Sequence, residues 1–493
     1  MYNERAIIIF RRRNPHSVVT VILLVALVIY LTCAIFSIGY LHPDEHYQII
    51  ELAKWKLQDT TPQAIAWEHA ATIRPTLQPV LVMEIIRLCR WMGMDNPFHL
   101  ALILRIITAV IVLFSICQFV KAAGRRITPQ YRNALMAATL FFWIVPMIGV
   151  HFSSEILSMA CLLLLLAGLL KKEQPSLSEA IWMGIIAALG FEFRYQMTFA
   201  YIGILLWILV IGKYRWQVWC IATLGFLGVI ALCTRLDCWF YGKMVFVPYN
   251  YFYMNIVRHV AASFGESPWY IYFLQLAFIP TFGIGLPIVL SVCIGTFRHY
   301  RNPVIWAFWA FLLIHCAISH KEPRFLFPLI PLLPLFVVWT YEAILLKLNY
   351  RFKIALIGLI VLVNFCGLAH VIFKPATYGK ASMMQYLCER ARGQDSLKVK
   401  TSRGSNPFHT GQLIVQFYLW QPMDVEECDS ISNEEKRGID VIVLQNKDSI
   451  DRKRLLAEGY REVYRSMPEW QNFLNRFYHT YNPDRVLIAY EKK

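Results

Sequence analysis

Asp44 and Glu45 lie between His42 and His46, just past the first long apolar run of the chain. Four titratable groups at the mouth of a membrane helix are costly to place unless they face water or a partner. Pro43 stops the helix ahead of them, because proline lacks an N–H and disfavours helical geometry in the preceding residue. A carboxylate in this position suits general-base work. It is ionised near neutral pH, and it can hold a sugar hydroxyl by a charge-assisted hydrogen bond while taking its proton during attack on an anomeric carbon. Asp44 is the first candidate for the base and Glu45 the second; a helix cap or a salt bridge to a loop arginine is the plainer reading of both.

His320, Lys321, Glu322 and Arg324 form a second cluster. Cations at a membrane interface fit a lipid-linked phosphate and stabilise it as a leaving group, Lys321 as a point charge and Arg324 through its fork. Snorkelling anchors would account for the Lys and Arg but not for the His and Glu beside them. A third cluster spans 237–255, where Asp237, Tyr241, Lys243 and Asn250 mingle with Trp239 and Phe240. Rings for C–H faces and polar groups for hydroxyls are a sugar-holding mixture; an interfacial aromatic belt is the alternative. Arg194 joins the expected phosphate ligands, and His42, His46 and Glu322 the expected sugar or acceptor contacts. Glu68, His69 and Arg74 could line the acceptor side. Ser153, Ser154 and Glu155 read as a turn capping the next helix. No compact metal spacing, HExxH or phosphate-cradling glycine loop is found, so neither a metal nor a cofactor is expected and a nucleotide-sugar donor is disfavoured.

The elements that must position these residues are membrane helices. The 493 residues are 57% hydrophobic and 16% charged, with mean hydropathy +0.46, whereas soluble chains are about a quarter charged. The apolar residues come in blocks near spanning length, giving about eleven crossings, several short enough to need tilt. Net charge is +16, but the excess Lys and Arg sit in alternate loops, as the positive-inside rule demands, and call for no nucleic acid. Arg11, Arg12 and Arg13 put the N-terminus in the cytoplasm. The first run lacks a small-residue cleavage site and is expected to stay as a span. The mixed clusters then all emerge on the opposite face, which one extracytoplasmic site explains.

The expected organisation is a membrane part, 1–374, and a small soluble α/β domain, 375–493, outside the membrane. Residues 41–97 form a first external loop with interfacial helices, and 234–270 a second external loop. In the tail, strand-like runs at 413–420 and 441–445 alternate with helix-like runs at 382–391 and 451–458. The twelve cysteines are scattered and mostly read as small buried hydrophobes; Cys388 and Cys428 are a candidate disulfide.

Four stretches in this order, His42-Pro-Asp-Glu-His-Tyr-Gln48, Asp237-Cys-Trp-Phe-Tyr-Gly-Lys243 running on to Asn250 and Asn255, Ser267-Pro-Trp-Tyr270, and His320-Lys-Glu-Pro-Arg-Phe325, resemble the GT-C mannosyltransferases that build GPI anchors and the N-glycan precursor. The resemblance covers roughly 15–370. It implies a GT-C fold, a polyprenyl-phosphate sugar donor such as dolichyl-phosphate mannose, a lipid-linked or glycolipid glycan acceptor, inversion at the anomeric carbon, and a catalytic base in the first loop, at Asp44 or Glu45. The active site would then face the periplasm in a bacterium or the lumen of the endoplasmic reticulum in a eukaryote. The chain departs from eukaryotic relatives at His151-Phe-Ser-Ser-Glu155, where they carry a Thr/Arg-rich version; its compact tail and short loops fit a bacterial relative. A transporter or flippase of lipid-linked sugars is the rival reading. It would place polar groups near mid-membrane on broken helices, commonly with internal repeats, and no repeat stands out.

Overall fold

The structure, a computed structural model, describes residues 15–428 and 438–492; Arg11, Arg12 and Arg13 lie outside the described residues. Seven described helices are long and apolar enough to cross a membrane: Val18–Phe36, Pro97–Arg126, Ser154–Lys171, Tyr195–Gly212, Trp216–Tyr241, Pro323–Lys347 and Tyr350–Ile372. Four shorter apolar stretches occupy the other expected crossings: the pair Arg132–Phe141 and Ile144–Ile148, then Leu177–Phe193, Phe282–Arg298 and Pro303–Ala317. Close approach is built in where a side chain is missing. A Cβ on Gly184 would meet the Ala222 carbonyl oxygen at 1.9 Å, and one on Gly203 that of Trp306 at 2.2 Å, the small-residue contact favoured between helices in lipid.

Three apolar runs that read as continuous are interrupted, each for a local reason. The run at 271–295 breaks into Ile271–Phe278 and Phe282–Arg298 around Pro280 and Thr281, whose φ is 72°. The run at 325–346 opens as a ten-residue 3-10 segment, Pro323–Leu332, containing Pro328 and Pro331, which cannot donate helical hydrogen bonds. The run at 133–150 breaks at Phe142. There Asn364, from the last span, accepts from the Trp143 N–H at 3.0 Å and donates to the Phe141 carbonyl at 2.7 Å. One amide thus satisfies both backbone groups that the break would leave bare in lipid.

The segment expected as a first external loop is helical, as Pro43–Glu45, a π turn at His46–Glu51, Leu52–Lys56, Trp67–Ala70 and Leu77–Trp91. The second begins later than expected. Helix Trp216–Tyr241 runs on through Asp237 and stops at Gly242 in the left-handed conformation, a standard helix end.

The tail forms a five-stranded sheet from β1 (Leu397–Ser402), β4 (Met423–Cys428), β5 (Val441–Gln445), β6 (Tyr460–Arg465) and β7 (Leu487–Lys492), in the order β4-β1-β5-β7-β6. β1 pairs in parallel with β4 and β5; β7 pairs antiparallel with β5 and β6. β2 (His409–Thr410) and β3 (Leu413–Ile414) make a minimal hairpin. Alternation sends Val441 and Val443 to one face, with Met383 and Leu387 of helix Lys380–Ala391, and Ile442 and Leu444 to the other, with Leu455. The first of these cores also takes in Tyr47, Ile50 and Met83 of the first loop. The expected strand at 413–420 stops after Ile414, because Val415, Phe417 and Tyr418 are buried in that shared core instead of a ladder. The proposed disulfide is absent. No bond joins Cys388 to Cys428; their thiols are directed at the carbonyls of Tyr418 and Thr401.

Candidate active site

Asp44 stands in the single turn opened by Pro43. His42 precedes it in an extended conformation and accepts the Asp44 N–H on Nδ1 at 3.2 Å. The His42 ring lies between two carboxylates, with Nδ1 3.5 Å from Asp44 Oδ1 and Nε2 3.2 Å from Glu322 Oε2. From the start of the helix at Pro323, Arg324 reaches across to Asp44 Oδ2 at 2.7 Å and to Glu155 Oε1 at 3.2 Å, with its Nε on Glu322 Oε2 at 2.6 Å. Arg194, at the end of Leu177–Phe193, donates to the same Glu155 oxygen at 2.7 Å. His320 Nε2 meets Glu322 Oε1 at 2.9 Å. Both guanidinium groups lie over the Phe325 ring, at 4.9 and 5.3 Å, a contact worth most where water is excluded.

Four chain segments therefore meet at one ionic knot. Each arrives at a helix end, and successive helix directions put those ends on one side of the bundle. The Asp44 side chain is 30% exposed, against 12% for Arg324, so the carboxylate is the accessible edge of the knot. Burial would raise its pKa. The His42 hydrogen bond and the guanidinium groups of Arg324 and Arg74 outweigh that and hold it well below the usual carboxylate range. Glu322 is likewise lowered, its own burial overcome chiefly by Arg324. Arg194 is buried and keeps two N–H groups, Nε and Nη2, with no partner among the described residues. Unmade hydrogen bonds on a buried guanidinium are expensive, and they leave donors open beside the knot.

The other sequence candidates divide. Glu45, next to Asp44, turns inward: its Oε2 accepts from the Leu41 N–H at 3.0 Å, and its Oε1 meets His151 Nδ1 at 2.9 Å, with Ser37 behind His151 at 3.0 Å. His46, an expected sugar or acceptor contact, is fully buried against Glu51. Lys321 is also buried and spends its ammonium on the carbonyls of Ser267 and Ile318, apart from the knot.

The 237–250 cluster holds the first loop. Asp237 Oδ1 accepts from the Thr76 N–H at 2.9 Å and hydroxyl at 2.6 Å; the Tyr241 hydroxyl donates to the Arg74 carbonyl at 2.8 Å; Asn250 Nδ2 donates to the Thr72 carbonyl and hydroxyl. Thr72 sits at φ 49°, a conformation held by this surrounding structure. Lys243 is exposed and lines a cavity of about 350 Å³ with Thr72, Phe246, Tyr249 and Asn250. Nearby His69 has its pKa lowered by burial and by Lys243 and Lys56, which marks this edge as positive.

Glu155 is the residue that sequence reasoning undervalued. Ser153 does cap the helix, accepting from the Ile156 N–H at 3.4 Å, but the capping pattern hid a buried carboxylate serving two arginines. The available signal was an acid at a helix end facing the same side as Arg194 and Arg324. No group of three or more potential metal ligands occurs among the described residues.

The profile of the Alg9-like mannosyltransferase family matches residues 20–398. Among characterised relatives, GPI alpha-1,2-mannosyltransferase 3 of Xenopus laevis is 24% identical over 80% of this chain and 73% of its own length. The Bos taurus protein of the same name is 21% identical over 66% of this chain and 60% of its own, so this match spans under two thirds of that relative. Among solved structures, ArnT from Cupriavidus metallidurans bound to undecaprenyl phosphate aligns over 97% of this chain and 98% of ArnT, with TM-score 0.57 at 13% identity. An Archaeoglobus fulgidus oligosaccharyltransferase tethered with an acceptor peptide aligns over 88% of this chain and 69% of its own, with TM-score 0.51 at 9% identity.

Proposed function

This chain belongs to the Alg9-like mannosyltransferase family, as a multi-pass membrane protein of GT-C fold, and on that premise we propose that it moves mannose from a polyprenyl phosphate to a lipid-linked or glycolipid glycan on the extracytoplasmic face. The acceptor hydroxyl attacks the anomeric carbon, the bond from that carbon to the phosphate oxygen breaks, and the hydroxyl proton passes to Asp44. Polyprenyl phosphate leaves, and a single displacement inverts the centre. Arg324 and the open N–H groups of Arg194 receive the phosphate, where negative charge grows in the transition state. Glu155 orients both arginines. Lys243 and Tyr249, at the cavity beside the loop, receive the acceptor.

One observation carries this reading. Asp44 and Arg324, 280 residues apart in sequence, meet at 2.7 Å on the accessible edge of the knot. The pairing also gives the base a timing. While Arg324 neutralises Asp44, the carboxylate is a poor proton acceptor. A donor phosphate that takes over the guanidinium raises the basicity of Asp44 as the substrate arrives. Two features favour Asp44 over Glu45: its exposure and the full commitment of Glu45 to Leu41 and His151.

The test is transfer of label from polyprenyl-phosphate mannose to a synthetic GPI-type mannosyl glycolipid by the full-length protein in proteoliposomes. Asp44→Asn is expected to lower turnover about 10²–10⁴-fold, the usual contribution of a general base, with donor binding retained. Near-normal turnover in that variant would move the base elsewhere. Accumulation of label across the bilayer without transfer would favour the transporter reading.

A further inference from the structure

We infer that residues 409–418, beyond the stretch matched by the family profile, are a positioning clamp for the loop that carries Asp44; the inference rests on the reading of Asp44 as the base. Two residues after Asp44, the chain makes the π turn His46–Glu51. In an α-helix, side chains five apart diverge by about 140°. The wider π turn brings them onto one face, and here it lets His46 Nε2 meet Glu51 Oε1 at 2.9 Å with both side chains fully buried.

The tail supplies what holds that turn open. The Phe417 N–H donates to the same Glu51 oxygen at 2.7 Å. Tyr418 stacks on the His46 ring at 5.6 Å with planes 15° apart, and Tyr40 stacks on it too, at 5.0 Å and 27°. The Tyr47 hydroxyl donates to the Leu413 carbonyl at 3.3 Å. A buried carboxylate, a ring stack and a strand-edge carbonyl thus all fix one irregular turn to a segment some 366 residues away. Relaxing the π turn to α geometry removes a one-residue offset and rotates what precedes it by about 100°, which carries Asp44 away from Arg324.

The same proteoliposome assay tests this with Tyr418→Leu, which keeps apolar bulk and loses the stack, and Tyr418→Phe, which keeps the ring. Tyr418→Leu is expected to lower kcat at least about tenfold, as misplacement of a reacting group does, with the donor KM within about twofold. Its acid limb of kcat/KM should also move to higher pH, because Asp44 is no longer held beside Arg324. Tyr418→Phe should stay near wild type. A general loss of stability would reduce recovered protein without moving that limb. Wild-type kcat and acid limb in Tyr418→Leu would overturn the clamp even with Asp44→Asn inactive, whereas an active Asp44→Asn would overturn the base assignment instead. If Tyr418→Leu cannot be recovered folded, Glu51→Gln, with the same volume and one acceptor oxygen, is judged by the same two criteria.

Discussion

The segment at 320–324 and the segment at 237–250 are alike in composition, each mixing cations and acids with rings at the end of a membrane helix, yet the fold uses them differently. In the first, Arg324 crosses to carboxylates on two other segments and ends at the accessible Asp44. In the second, Asp237, Tyr241 and Asn250 turn their polar atoms onto the backbone and hydroxyls of residues 72–76. One segment concentrates unlike charge where a substrate can reach it. The other spends its hydrogen bonds fixing the wall that a substrate would meet.

If that division is right, the largest effects on chemistry fall on the first segment. Arg324→Lys keeps the charge and loses the fork over Asp44, Glu155 and Glu322. It is expected to lower kcat by about 10²-fold, the scale of losing a transition-state donor, and single-turnover transfer measures it. Next comes pH. With the native pKa of Asp44 depressed, its contribution to stability is complete above the ordinary carboxylate range, near pH 4, and is lost as pH falls through the lower native value. The stability difference between wild type and Asp44→Asn, followed by thermal unfolding in detergent, should therefore persist at pH 5–7 and shrink below about pH 4. The smallest chemical effect belongs to the second segment. Asn250→Ala, which leaves Thr72 without its donor, should cost about 1–3 kcal/mol of stability and raise the acceptor KM while kcat stays within a few-fold. A kcat collapse there would erase the distinction between the two segments.

Residue type and order made the first segment legible. Helix ends alternate in side, so an acid at 44 and a cation at 324 had to emerge on the same face. The second segment was legible as polar and aromatic but not as a tether, because its partners are backbone groups of a loop whose path leaves no trace in composition. Glu155 was obscured by a pattern that also makes a helix cap. In the tail, Val441–Gln445 read as a strand and forms one, whereas 413–420, equally apolar, leaves its ladder after Ile414 to pack on Tyr47 and His46. Periodicity records that a segment is buried; it does not record what buries it.

The Asn364 amide that bridges Phe141 and Trp143 carries a consequence for biogenesis. The broken span is synthesised more than two hundred residues before its staple, so its carbonyl and N–H have no such partner until helix Tyr350–Ile372 has been made. A chain that stops short of residue 364 therefore lacks the one group that closes this seam.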